Sequence, residues 1–291
     1  MPELYDAFVT LAARSIELSD ELTLPYVETG DPSGVPIVLL HALADSRRSF
    51  EPVLACLPGS IHAFAPTQRG HGDASRPDSG YHPRDFAADL TAFMNAVDLE
   101  RAVIVGGSSG GFIARRFAID HPERTLGLVL LGSPRSLRDK PGVMEMWDST
   151  LSRLTDPIDP TFVRQFAAST VAKPVPPEFL ETIVQENLKV PARVWIETTR
   201  GLLDDDSADE LSRITAPTLI CGANRTRSWQ RATRKRSRPR SRTRGSCSIP
   251  TPGTRSTGKS RSGSRRTSSP SRRVLGRAAS SRRGGRGRGE R

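Results

Sequence analysis

Val103-Ile104-Val105-Gly106-Gly107-Ser108-Ser109-Gly110-Gly111 is the stretch that decides the fold. Its first half is a short apolar run of the kind that forms a strand buried on both faces. Its second half is a glycine-rich turn, and residues 111–119 after it have helical character. Strand, G-x-S-x-G turn and helix in that order form a nucleophile elbow. Gly106 and Gly110 leave space for the crowded backbone, so Ser108 projects from the sheet top. The Ser109 N–H, at the helix start, points to where an oxyanion would develop. The competing reading of these residues is a glycine-rich strand–helix turn that binds phosphate or nothing.

Outward from this turn the chain alternates. Residues 36–41 (PIVLLH), 61–66 (IHAFAP), 102–106 (AVIVG), 126–131 (LGLVLL) and 217–221 (PTLIC) are short apolar runs bounded by Gly, Pro or polar residues. All five suit strands buried on both faces. Between them, residues 85–97 place Phe86, Leu90, Phe93 and Val97 on one helical stripe. The alternation predicts a mostly parallel, doubly wound α/β sheet. Residues 16–18 and 22–28, followed by the turn residues Gly30-Asp31-Pro32, predict an antiparallel pair at one edge. Residues 135–212 break the pattern, with prolines at 141, 157, 160, 174, 176, 177 and 191 and helices expected over 162–168, 178–188 and 192–203. The expected organisation is a core over residues 1–134, a helical cap over 135–212, a return strand over 213–224 and a tail over 225–291.

Composition narrows the class. The chain has 291 residues, 36% apolar and 26% charged, room for one large α/β domain or two small ones. No apolar run approaches the ~18–20 residues of a membrane span, which argues against a transmembrane protein. The first ten residues contain Glu3 and Asp6 and lack a basic-then-apolar signal. Cys56, Cys221 and Cys247 are odd in number and far apart, which favours a reducing cytoplasm over a disulfide framework, and no pair has metal-ligand spacing. The net charge of +11 averages two unlike parts. Residues 225–291 hold 23 Lys/Arg and one acid, Glu290, whereas residues 1–224 hold 20 bases against 31 acids. By composition the Arg/Ser/Gly-rich tail is expected to be disordered.

Over residues 14–224 the chain resembles the α/β-hydrolase superfamily, specifically its capped, single-domain bacterial members. IVLLHALADS matches the third strand and the His-Gly oxyanion loop, here His41-Ala42. PTQRGHGDASRP matches the Arg-Gly-His-Gly-x-x-Ser segment after the fourth strand, from Arg69 to Ser75. GGSSGG is the elbow, HPERTLGLVLLGSP the sixth strand, and ITAPTLICGAN the strand leading to the acid. The resemblance implies that Ser108 is the nucleophile and that the N–H groups of Ser109 and Leu43 form the oxyanion hole. It implies that His41 orders the loop rather than acting as base. Ala42 stands where glycine is usual, and Thr67 where an aspartate is common. A serine nucleophile argues against epoxide hydrolases and haloalkane dehalogenases, which need a carboxylate there. The implied substrate is a small, fairly apolar ester, lactone or related carbonyl compound admitted under the cap. No metal, nucleotide or organic cofactor is implied. Carboxylesterases, lactonases, C–C bond hydrolases, perhydrolase-like enzymes and acyltransferases share these motifs.

The serine lacks its partners. In this fold the order is serine, acid, histidine, yet the five histidines (41, 62, 71, 82, 121) all lie at or before position 121. His62, His82 and His121 are expected at helix or loop ends on the surface. Where the family places an aspartate after Gly222, this chain has Asn224-Arg225-Thr226. A one-base slip near Asn224 accounts for this. Codons built from the third base of one residue and the first two of the next permit aspartate across Arg225/Thr226. From Pro252 to Ser264 they permit Gly-His-Ala-Val-His-Trp-Glu-Glu-Pro-Glu-Arg-Phe, which contains the family's signature around its catalytic histidine. Ser246 to Ile249 permits an apolar strand before it. Residues 225–291 therefore read as a frameshift product.

Two rival readings remain at this stage. In one, the basic tail grips nucleic-acid phosphates, although Trp229 is its only stacking residue. In the other, the fold is kept and catalysis is lost, because Ser108 has no base.

Overall fold

Short apolar runs flanked by Gly and Pro have nowhere to satisfy their backbone except beside one another. Here they pair into a single sheet. The structure, a computed structural model, describes residues 11–171 and 173–222. Seven strands are seen: β1 (Arg14–Ser19), β2 (Leu22–Thr29), β3 (Val35–Leu40), β4 (Ile61–Pro66), β5 (Ala102–Gly107), β6 (Thr125–Leu131) and β7 (Thr218–Cys221). Their order is β1-β2-β4-β3-β5-β6-β7. β1 and β2 form the expected antiparallel pair, with Arg14 opposite Tyr26. β2 also runs antiparallel to β4. The β4-β3-β5-β6-β7 block is parallel throughout. The doubly wound reading therefore holds, with strand ends within one residue of expectation in the parallel block.

The helices are α1 (Glu51–Leu54), α2 (Pro83–Ala96), α3 (Gly110–Asp120), α4 (Pro141–Ser149), α5 (Pro160–Thr170), α6 (Pro177–Leu188) and α7 (Ala192–Asp204). α2 starts at a capping box. The His82 side chain accepts from the Arg84 N–H, and the Asp85 carboxylate accepts from the His82 N–H. It buries Phe86, Leu90 and Phe93, three of the predicted stripe, against the sheet. α3 buries Ile113, Phe117 and Ile119 in the same core, and its Phe112 is buried beneath Arg115.

Four helices, α4 to α7, lie between β6 and β7. Three cover the predicted spans. α4 was not among the expected helices: Pro141 sits at its first turn and its residues are only partly covered. The indole of Trp195 on α7 is buried, with Phe162 and Phe166 of α5 at ring-centroid distances of 5.9 and 4.8 Å.

Two expectations need correction. β7 was expected to be buried on both faces, but Leu219 and Ile220 are 36% and 41% exposed. Among the described residues β7 pairs only with β6, so nothing described covers its outer side. His62 is not at an element end. It lies within β4, half-buried, with Nε2 2.8 Å from Glu28 and its ring against Phe64. His82 and His121 do cap helices, α2 and α3 respectively. The tail, including the proposed acid position at Arg225/Thr226, lies outside the described residues. Among the described residues no helix is long and apolar enough to cross a membrane.

Candidate active site

Ser108 joins β5 to α3 with φ at +49°. That is the left-handed region, which costs a non-glycine residue energy and persists only when its surroundings enforce it. The enforcement is visible. The Ser108 N–H donates to Leu131 O of β6 at 2.8 Å, and the Gly111 N–H donates back to Ser108 O at 3.1 Å. A Cβ on Gly106 would lie 2.4 Å from Gly110 O, and one on Gly110 would lie 2.3 Å from Leu40 O. Both glycines are needed because α3 starts closer to β5 and β3 than any larger residue permits. The Ser108 side chain is left exposed.

Ser109, largely buried, stands at the N-terminus of α3. The N–H groups of a first helical turn have no intrahelical acceptor, and the helix dipole favours negative charge there. The loop carrying His41 and Leu43 arrives at the same place. β3 neighbours β5 with Leu40 opposite Gly106, so loop and elbow leave the sheet at adjacent strand ends, where ligands of open α/β sheets bind. Contact is direct, since the Gly110 Cβ position is also 2.6 Å from His41 O. Leu43 itself packs partly buried against the core.

The His41 imidazole is buried and uses both nitrogens in the loop. Nδ1–H donates to Ala42 O at 2.9 Å, and Nε2 accepts from the Gln68 N–H at 2.9 Å. Burial, then the nearby His71, hold its pKa well below the usual imidazole range, so the ring is neutral. His71 is also buried, with Nδ1–H donating to Arg69 O at 2.7 Å. Burial, chiefly, pushes it down to about 4. His121 Nε2 lies 3.1 Å from Thr91 Oγ1. Each of the five histidines is thus engaged in holding local structure.

Two residues of the site, Gln68 and Arg115, escaped the motif reading, and Arg69 of the Arg-Gly-His-Gly segment gains a partner that the motif does not name. Gln68 clamps His41 twice, since its Nε2 also donates to His41 O at 3.0 Å. Its place directly before the Arg-Gly-His-Gly segment was the available signal. Arg69 anchors the same loop to α2 through a two-pronged contact with Asp89, both N···O distances 2.5 Å. Arg115 on α3 is fully buried. It donates to Asp205 (2.6 Å), Ser207 Oγ (2.6 Å) and Pro134 O (2.8 Å). These bonds tie the elbow's helix to the end of α7 and to the loop after β6. Among the described residues no cluster of three or more His, Cys, Asp or Glu has metal-binding geometry.

A parallel sheet of this order, with a serine on a strained turn between its central strand and a helix, defines an α/β-fold hydrolase scaffold. The model of the α/β hydrolase fold family matches residues 35–277, and the chain belongs to that family. It is 31% identical over 219 residues to a putative non-heme chloroperoxidase of Synechocystis, covering 70% of this chain and 78% of that protein. An uncharacterised protein of Mycobacterium tuberculosis is 31% identical over 107 residues, 37% of this chain. The chain spans about a third (31%) of the length of that protein and its equally matching mycobacterial counterparts. Among solved structures, an esterase from Exiguobacterium antarcticum superposes with a TM-score of 0.65 at 21% identity, covering 77% of this chain and 87% of that one. That likeness is one of fold.

Proposed function

We propose that the chain is a serine hydrolase, or the damaged copy of one, acting on a small ester or related carbonyl compound. Ser108 attacks the acyl carbonyl, the Ser109 and Leu43 N–H groups hold the oxyanion, and water releases the acyl-enzyme. Gly106 and Gly110 keep the turn open and His41 orders the oxyanion loop. α4 to α7, within residues 135–212, form the cap that admits the substrate, and no cofactor takes part. The observation that carries this reading is the exposed Ser108 at φ +49°, held between two glycines that cannot bear a side chain. The esterase among the proteins of similar fold agrees with acyl chemistry.

The chain as written has no histidine beyond position 121, where this fold carries its proton acceptor after the acid. We therefore infer that residues 225–291 arise from a frameshift, and that an intact reading frame supplies the acid, the last strand and the histidine. The protein acts in the cytoplasm, and the basic tail, where it is made, contacts nucleic acid only nonspecifically.

The test begins with the coding DNA across the codons for Leu219 to Trp229. The restored frame is then expressed beside the chain as written and assayed with p-nitrophenyl acetate. The restored protein is expected to hydrolyse the ester, and Ser108→Ala to lower its kcat by roughly a millionfold. The chain as written should be inactive or poorly soluble. Ester hydrolysis by the chain as written that Ser108→Ala abolishes would show that the missing partners are not needed. A restored protein whose activity survives Ser108→Ala would end the serine reading.

A further inference from the structure

A small cavity lies beside the oxyanion elements. Gln68 from the loop after β4, Ser109 of the elbow and Thr198 of α7 line it beside Ala42 and His71, and apolar side chains such as Phe86 complete its walls. At about 10 Å³ it accommodates one non-hydrogen atom with its protons. Two of its walls carry unsatisfied polar atoms. Gln68 Oε1 and Thr198 Oγ1 are buried without a hydrogen-bond partner, on residues only 7% and 4% exposed. The Gln68 amide cannot turn to hide its oxygen, because its Nε2 is held by His41 O. Its Oε1 therefore stands as a pure acceptor. His71, also in the wall, donates its Nδ1–H to Arg69 O. Burial holds that ring neutral at physiological pH, with its pKa about 4.

A fixed acceptor, Gln68 Oε1, and a hydroxyl, Thr198 Oγ1–H, beside a one-atom space match a group that donates to the first and accepts from the second. An apolar group there would leave both unpaired, which discriminates more strongly than any added apolar contact. We propose that this cavity receives a hydroxyl group of the substrate, carried within a few bonds of the carbonyl that Ser108 attacks. The chain's substrate class is then hydroxy-substituted acyl esters, selected over their unsubstituted analogues. This rests on the reading of Ser108 as nucleophile, and it assigns Gln68 and Thr198 as specificity residues.

The test compares methyl 3-hydroxybutyrate with methyl butyrate, which differ by one hydroxyl. Binding of each to the full chain is titrated by ligand-observed NMR. The hydroxy ester is expected to bind about tenfold tighter. Thr198→Val should remove most of that preference, while Thr198→Ser, which keeps the hydroxyl, should retain it. Equal affinities, no binding of either ester, or a preference untouched by Thr198→Val would each overturn the proposal. A water that stays in the cavity of a crystal structure with the hydroxy ester bound would also overturn it, by assigning the donor to solvent. Hydrolysis of the two esters by the restored frame is read separately. A binding preference without turnover supports the subsite and counts only against the catalytic reading.

Discussion

Ser108 holds a backbone conformation that an isolated serine avoids, and the residues around it explain why it stays there. Gly106 and Gly110 admit the close approach, and Leu131 O and Ser108's own N–H close the turn. Asp45, two residues beyond Leu43, shows the opposite kind of tension. Burial pushes its carboxyl up to about 7; the Ser46 N–H and the Ser49 side chain partly offset this, and Glu186 adds to it. An acid whose pKa is raised on folding binds more protons folded than unfolded between about pH 4 and pH 7. Its contribution to stability is therefore complete below pH 4 and falls as pH rises through 7. Asp45→Asn keeps an acceptor for the Ser46 N–H, 3.1 Å away, and removes the buried charge. It should stabilise the protein at pH 8 by about 1–2 kcal/mol, roughly 5 °C in Tm, and do almost nothing at pH 4. Thermal melts of both proteins across that range check the slope. Equal gains at both ends would mean the carboxyl does not titrate in this window.

At the scale of elements, the position of the elbow depends on how α3 is anchored. One face of α3 packs Ile113 and Phe117 into the core. Arg115 lies over the Phe112 ring at 3.9 Å, and its guanidinium is enclosed with Asp205 and Ser207. Ser207 Oγ also donates to Asp205 at 2.6 Å, so the cluster is a network rather than a lone pair. Desolvation lowers the Arg115 pKa, and Asp205 opposes that shift. Removing one partner from such a pair leaves a buried charge without its counterion. Arg115→Met should cost about 3–5 kcal/mol, while Arg115→Met combined with Asp205→Leu should recover most of the loss. Urea denaturation of the two variants decides the point. If the double variant is no more stable than the single one, the geometry of the bonds rather than the unpaired charge sets the cost.

The whole molecule joins two electrical halves, −11 over residues 1–224 and +22 over residues 225–291. A segment of that charge binds polyanions by releasing counterions, with an affinity that falls steeply with salt. Deleting residues 225–291 should abolish retention on single-stranded RNA at 50 mM salt, and raising salt to 200 mM should weaken retention of the full chain about a thousandfold. Filter binding measures both. RNA retention that survives the deletion would place the contact on the acidic part and contradict the charge argument. The sheet edge belongs to this scale too. Leu219 and Ile220 on β7 present apolar surface that the described residues leave open, the physical basis for expecting poor solubility.

Most of the fold was legible before any coordinates, because its information is local. A run such as residues 36–41, short and bounded by breakers, reads as a strand, and the elbow announces itself through glycines whose Cβ positions are already occupied. The antiparallel pair, the parallel block and three of the four inserted helices were readable from periodicity and breakers. α4 was not read as a helix, and none of its residues is fully buried. His62 was misplaced because a histidine inside a strand looks like one at its end until Glu28 arrives from β2. By itself the sequence determined the fold class, the strained serine turn and the lack of any histidine beyond position 121. Only the tertiary structure decided that Gln68 pins His41, that Arg115 finds Asp205 some ninety residues away, and that Gln68, His71 and Thr198 share one cavity. Those partners come from distant segments. Their hydrogen bonds depend on which strand ends and helices the fold brings together, and sequence spacing does not record that.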